Sequence, residues 1–458
     1  KKCPMLLPQL ITRERNSGET LALAHRQRIL TLYEALSGTA RLRWGLLQWL
    51  AVAAGPEDLQ SLVDCVVNGP GEDAQAAALA FIPLFQNRSF DPSPLFPRLF
   101  AALQYLAAAA PVLDLANYLY RSGMVAQHPA ADRVDEIVAL LGSLVEQLQR
   151  IDEDPQAAGV TPEELGQRID ECVALVVALC GTLAIVAQSH SDQDLVVARL
   201  TQALELRHRR IRTEAAAALA QLGEQRGVDV LLELVAEPVA RLRVLAYAEE
   251  LGLLEKVDPQ YRTDAARAES QVALELAQPS YFGVPPSDME LLDSRTLFWP
   301  GYEDPVNCFL FRYEYRFDAQ PYRNVAIAGP LLHAISADLA GLPVDDIYAA
   351  YAGWHVEEEG IFEIPLDAPT ESERAEADRF ERQLRDHEYD AIHALMLGNF
   401  FGDWSLVARA TRNGSLGLVV VDSHEIAWFP HQATRYPLGA HEVYSIYKGR
   451  RLLRSFNT

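Results

Sequence analysis

Ile211-Arg212-Thr213-Glu214-Ala215-Ala216 returns as Leu242-Arg243-Val244-Leu245-Ala246-Tyr247, each residue about 31 positions beyond its counterpart. Both hexamers open on a large apolar residue followed by arginine, and neither contains a helix breaker. Periods of roughly 20–50 residues mark solenoids, in which a unit buries its apolar face only by stacking on its neighbours. On either side of these hexamers, apolar residues recur at helical spacing from about Leu21 to Leu254. Val134, Ile137, Val138, Leu141, Leu144, Val145, Leu148 and Ile151 form one wide stripe of the kind a buried helix face requires. Thr161-Pro162-Glu163-Glu164 reads as a helix start, with a capping threonine, a first-turn proline and a glutamate that closes a capping box. Gly55-Pro56-Glu57-Asp58 reads similarly. Helix pairs are expected over 21–54, 57–85, 96–122, 132–150, 162–189, 193–223 and 226–254, with strand-type alternation essentially missing before residue 300. Alanine clusters at 76–78, 107–110 and 215–218 suit close helix approach.

The stretch from Arg209 to Gly223, followed by Val228-Asp229-Val230-Leu231-Leu232, resembles a HEAT repeat of the bacterial phycobilisome-lyase-like type. Arg212, Ala215, Ala216, Leu222, Gly223 and Asp229 carry the likeness, and Arg243, Ala246, Leu251 and Gly252 repeat it less faithfully. The specific resemblance covers about 50 residues, and the rest of the array matches in period and pattern alone. It implies a mainly α fold, a HEAT/armadillo-like α-solenoid. It does not carry bilin-lyase activity with it, because many scaffolds share the repeat, and neither a bilin nor another pigment is expected as a ligand.

The chain has 458 residues, 49% of them hydrophobic, and a formal net charge of -23. That length suits roughly two to three domains. The negative field repels phosphate backbones and anionic lipid, so neither nucleic acid nor membrane is an expected partner. Cys3, Cys65, Cys172, Cys180 and Cys308 show no CxxC and no zinc-ligand spacing, which points to a reducing compartment. Cys172 to Ala187 is the most apolar run. It falls short of the roughly 20 residues that span a bilayer, and a helix buried all round is expected. Lys1-Lys2-Cys3-Pro4-Met5-Leu6-Leu7 contains no sustained apolar core of a signal peptide. A cytoplasmic protein is expected, with a leader removed before Lys1 left open.

Composition changes near Ala277–Pro286. Beyond it lie four of the six tryptophans (Trp299, Trp354, Trp404, Trp428) and seven of the eleven histidines. The expected division is a helical-repeat domain over 20–278 and a smaller α+β domain over 279–458. Cys308 to Phe317 alternates as a strand and pairs with Tyr322 to Ala328 through a turn at 318–321. Helices are expected at 330–340 and 344–352, a strand near 360–366, and a charged helix from the Thr370-Glu371-Ser372-Glu373 capping box to Asp386. Leu406 to Ala410 and Leu416 to Val421 form a second hairpin through Asn413-Gly414.

Candidate chemistry is sparse. Asp422-Ser423-His424-Glu425 follows a strand, so Asp422 could orient His424 as a general base, or His424 and Glu425 could be ligands. No Gly-x-Ser-x-Gly elbow accompanies Ser423. A polar turn after a buried strand is the commoner arrangement. His355 with Glu357, Glu358 and Glu359 offers donors for a divalent cation, but a glutamate triplet is more often a solvated edge. His387 and His393, six apart, do not share a helix face, and no HExxH, GxGxxG or P-loop pattern occurs. Gly329-Pro330 precedes an expected helix start that could receive an anion. Trp354, Trp404, Trp428 and Phe429 read as core anchors. In the acidic chain, Arg207, Arg209, Arg210 and Arg212 form the one basic cluster, and Arg243 repeats Arg212. Such arginines either satisfy carbonyls and carboxylates within a repeat or contact an acidic peptide or phosphate.

The expectation is therefore a protein–protein interaction scaffold or adaptor that binds a protein or peptide on the solenoid surface, with no cofactor, no metal and no assigned reaction. The alternative is a hydrolase-like enzyme in the C-terminal domain. That alternative requires Asp422, His424 and one of His355, His393 or His431 to converge on a cleft.

Overall fold

The Thr161 capping box opens a helix of 25 residues, Pro162–Val186, at the centre of the N-terminal half. The Thr161 hydroxyl accepts from the Glu164 N–H at 3.3 Å, and the Glu164 carboxylate accepts from the Thr161 N–H at 3.0 Å. The computed structural model describes residues 23–36, 40–53, 93–154, 160–189, 193–317, 320–334, 337–357, 362–400, 402–431 and 437–457, with isolated positions before residue 68. Its first main helices are α1 (Leu23–Ala35), α2 (Ala40–Ala53), α3 (Leu106–Arg121), α4 (Val134–Glu153) and α5 (Pro162–Val186). They are followed by α6 (Gln193–Leu204), α7 (Arg209–Gln221), α8 (Gln225–Leu234) and α9 (Pro238–Glu250).

Helix α5 packs on α3, α4 and α7; α4 also packs on α6, α6 on α7, and α7 on α8. The stripe on α4 is buried from Val134 to Leu148, as its spacing demands. Among the described residues α5 is the one helix long and apolar enough to cross a bilayer, and 67% of its apolar window is covered within the protein. Cys172 and Cys180 are buried thiols on it. The expected pairs at 132–150 and 162–189 are each a single helix. No proline or polar turn interrupts the second stretch, and Gly181 is accommodated inside it. The pair expected at 57–85, with its start at Gly55–Asp58 and the alanines at 76–78, lies outside the described residues apart from isolated positions.

A buried polar knot ties α3 to α5. His128 Nδ1 accepts from the Ala130 N–H at 3.1 Å, so the ring proton lies on Nε2, 3.0 Å from Asn117 Oδ1. Thr182 Oγ1 donates to the same oxygen at 3.2 Å. Burial, aided by the nearby Arg121 guanidinium, pushes the His128 pKa down to about 4. A second proton would have to enter at Nδ1, against the Ala130 N–H. Because the folded value lies below the unfolded one, this contribution is complete above pH ~6.5 and is lost as pH falls towards ~4, by about 3 kcal/mol at most. Urea unfolding followed by helical circular dichroism between pH 7 and pH 4 should show this slope in the native protein and not in His128→Gln. Equal slopes would refute the assignment.

Contacts divide the chain into two units, Lys1–Leu234 with Ala246–Lys256, and Val235–Leu245 with Val257–Thr458. The sequence boundary at 278 therefore falls late. Helix α10 (Asp264–Leu276) precedes it, yet packs through Ala268, Val272 and Leu276 against Phe309, Phe311 and Tyr313 of the C-terminal unit.

Among the described residues, the C-terminal unit holds two antiparallel sheets. The first is β1 (Asp288–Leu297), β2 (Val306–Phe317) and β3 (Gln320–Ala328) in that order. The second is β4 (Phe362–Pro365), β5 (Asp390–Phe400), β6 (Asp403–Arg412), β7 (Ser415–Asp422) and β8 (Ile426–Pro430), also in chain order. Among the described residues, α10 is joined in this unit by α11 (Val344–Glu357), α12 (Glu371–Asp386) and α13 (Ala440–Phe456). Alternation along β2 explains the layering. Phe309, Phe311, Tyr313 and Tyr315 face α10, whereas Cys308 and Leu310 join the core built on α11 and α13. Val407 and Val420 of the second sheet enter that same core, and its other face packs on Phe380 and Leu384 of α12.

Two sequence expectations fail here. The described residues of 330–340 are not helical: His333 bridges Ile327, and Asn324 donates to the Ala337 carbonyl at 3.1 Å and accepts from the Leu339 N–H at 3.3 Å. Those bonds satisfy the backbone outside a helix, and the helix begins only at Val344. Strand β1, in turn, lies before residue 300.

Candidate functional site

Strand β7 ends at Asp422, and its pairing with β8 resumes at Val421 and Ile426, leaving a tight turn between them. Asp422 makes that turn. Its Oδ1 accepts from the backbone N–H groups of His424 at 2.7 Å and Glu425 at 2.6 Å. Its Oδ2 accepts from the Tyr447 hydroxyl and from Arg451 Nη1 at 3.0 Å. Arg451 Nη2 reaches Asp403 at 3.1 Å, and Gln383 donates to the Asp422 carbonyl at 3.1 Å. Burial alone would raise the Asp422 pKa. The hydrogen bond from Tyr447, those from the two backbone amides and the Arg451 charge outweigh it and hold the carboxyl below its ordinary value.

That arrangement rules out the expected pairing of Asp422 with the His424 imidazole. The carboxylate binds the His424 backbone, and the ring is exposed and makes no hydrogen bond among the described residues. Glu425 lies 3.4 Å from Arg454. His355 stands on α11 with its ring 6.4 Å from that of Tyr302. Of the expected glutamate triplet, Glu358 and Glu359 lie outside the described residues. His393 is exposed on β5, opposite Arg409. His431 follows β8 and donates its N–H to the Leu416 carbonyl at 3.1 Å. Among the described residues no group of three or more His, Cys, Asp or Glu side chains could hold a metal ion. Trp354, Trp404, Trp428 and Phe429 pack in or against the C-terminal cores.

The arginines fall into two kinds. Arg207, Arg209 and Arg210 are exposed where α6 turns into α7. Arg212 is half-buried, with Nη2 3.8 Å from Glu233, and Arg243 is exposed on α9. Burial and the Arg210 charge lower the pKa of His208 beside them, against Asp170 and Asp152. The sequence reading missed Arg241, which is buried. Its Nε donates to Val235 O at 3.0 Å, Nη1 to Ala266 O at 2.8 Å and to Glu269, and Nη2 to Ala236 O at 3.2 Å. Arg241 thus performs the carbonyl-satisfying role that the repeat pattern suggested for Arg243. The period did contain the signal, since Arg241 lies 31 residues after Arg210, but nothing local distinguishes it from its exposed neighbours.

A cavity of about 190 Å³ opens beside the edge strand β8. Its walls are Leu342, Leu418, Trp428, Phe429, Leu438 and Val443, with Asp346, His431 and Arg450 as its charged or titratable members. Arg450 Nε donates to Asp346 at 2.7 Å, and the guanidinium lies 4.8 Å over the Phe429 ring. Comparison with known proteins finds no family model and no curated protein that matches the chain.

Proposed function

We propose that the chain is a cytoplasmic interaction scaffold whose helical unit is a short α-solenoid of the HEAT/armadillo kind, holding a protein or peptide partner. The observation that carries this reading is the order of helix packing. Helices α3, α5 and α7 pack one on the next, α4 packs on α6, and cross-contacts join α4 to α5, α6 to α7 and α7 to α8. Each helix in this set touches near neighbours in sequence, as stacked repeats do. Such a stack presents an extended surface, and the exposed Arg207, Arg209 and Arg210 lie at one of its turns.

The net charge of -23 does not remove that contact. At physiological salt the Debye length is about 8 Å, so an acidic partner at the turn responds to the local arginines more than to distant carboxylates. Guanidinium groups suit a carboxylate-rich peptide because each can form two parallel hydrogen bonds.

The test is retention from source-cell lysate on the immobilised full chain, with and without the triple substitution Arg207→Glu, Arg209→Glu, Arg210→Glu. The side chains are exposed and belong to no core, so the variant should still fold and unfold cooperatively. Retention of a partner should fall about tenfold or more and should weaken with salt in the unmodified chain. A partner held equally by both proteins would exclude the arginine turn, and no retained protein would count against the scaffold itself.

A further inference from the structure

We propose that the cavity beside β8 binds a small apolar carboxylate, an aromatic or branched aliphatic acid with the bulk of about one ring. This site lies wholly within the C-terminal unit and is independent of the solenoid reading.

Size sets the first limit. A dry apolar cavity of about 150 Å³ accommodates benzene, and this one measures about 190 Å³. Leu342, Leu418, Trp428, Leu438 and Val443 give it walls without a hydrogen-bonding demand, apart from the Trp428 indole N–H. They come from the approach to α11, from β7 and β8, and from α13 with the residues before it, so the shape depends on packed regular structure.

Arg450 sets the second limit. Its Nε edge is fixed on Asp346 at 2.7 Å and its plane lies over Phe429. Two contacts therefore orient the guanidinium before any ligand arrives. Among the described residues neither Nη group makes a hydrogen bond. A planar fork with one edge held and the other available matches the two oxygens of a carboxylate. The same geometry disfavours a cationic ligand, because the acidic group of the cavity, Asp346, is already engaged by Arg450. A neutral ligand would fill the apolar walls but offer the Nη donors at most one uncharged acceptor in place of a charged pair. The acid satisfies both.

The test uses the full chain labelled with 5-fluorotryptophan, titrated with phenylacetate, 3-phenylpropionate, 4-methylpentanoate and the neutral control 2-phenylethanol. Fluorine resonance at Trp428, assigned with Trp428→Phe, reports on the cavity wall. At least one acid should saturate with a Kd on the order of 0.1–1 mM, the range open to a ligand of about ten heavy atoms. The alcohol should bind at least tenfold more weakly. Arg450→Gln should weaken the acid by about tenfold or more and the alcohol far less, and Val443→Phe should abolish both by filling the space. No saturation by any acid up to 10-fold above that range, or equal binding of acid and alcohol, would overturn the proposal. The acid–alcohol comparison needs only the unmodified chain, so it decides the matter even if Arg450→Gln fails to fold.

Discussion

Asp422→Ala is expected to destabilise the C-terminal unit by about 3–5 kcal/mol, the range found when one partner of a buried charged pair is removed. The carboxylate is only 1% exposed and accepts from four donors: two backbone amides, the Tyr447 hydroxyl and Arg451. Alanine would leave those donors inside the protein without an acceptor and Arg451 with only Asp403. Asp422→Asn should cost less, because the amide oxygen still accepts while its NH2 faces groups that also donate. The pH dependence follows from the depressed carboxyl. Its stabilisation is present above the ordinary Asp value near 4 and is lost as pH falls through the lower folded value, so the native protein and Asp422→Asn should converge in acid. Urea unfolding read by tryptophan emission is suited to this unit, which holds Trp299, Trp354, Trp404 and Trp428. A catalytic Asp422 would behave differently, since removing a functional carboxylate commonly leaves stability unchanged or improved. Unaltered unfolding of Asp422→Ala would therefore refute the structural role derived from the hydrogen bonds.

Features with local causes were legible in the sequence. The Thr161 and Thr370 boxes form as written, because both partners of a capping box lie within four residues. Asn413-Gly414 closes β6 onto β7 with Arg412 opposite Ser415, and both turn residues take positive φ, 51° and 75°. Features with distant causes were not. The partners that make Asp422 a structural anchor, Tyr447 and Arg451, lie 25 and 29 residues away on α13. The sequence reading did not identify α13 at all. Residues 330–340 look helical in isolation, but Asn324 bonds the Ala337 carbonyl and the Leu339 N–H outside a helix. The cavity is similarly invisible: Leu342, Leu418 and Val443 are ordinary apolar residues until packing brings them to one space. Likewise, the period locates Arg212 and Arg243 but does not show that Arg241 is the buried one.

Gly449→Ala should be the more damaging of two chemically identical substitutions. Glycine inside a helix is unfavourable by about 1 kcal/mol relative to alanine, so an exposed Gly→Ala change ordinarily stabilises. Gly166 on α5 provides that baseline: a Cβ there meets nothing within 4 Å. Its replacement should stabilise the helical unit by about 0.5–1 kcal/mol. At Gly449 on α13 an ideal Cβ would lie 1.7 Å from the Ala349 carbonyl oxygen of α11, and at Gly353 of α11 it would lie 2.1 Å from Ser445 O of α13. The obstructing atoms are backbone, so no rotamer change relieves them. The two helices would have to separate by more than an ångström, and Ile347, Tyr348, Tyr351, Tyr444 and Tyr447 pack in the same core. Overpacking a close-packed core commonly costs 1–3 kcal/mol, and a clash with immovable backbone belongs at or above the top of that range, at about 3 kcal/mol or more. The opposite signs are the test. Urea midpoints of Gly166→Ala and Gly449→Ala, read by helical circular dichroism and tryptophan emission respectively, should move in opposite directions. If Gly449→Ala unfolds no earlier than the native protein, the contact between the α11 and α13 backbones is not what holds the C-terminal core together.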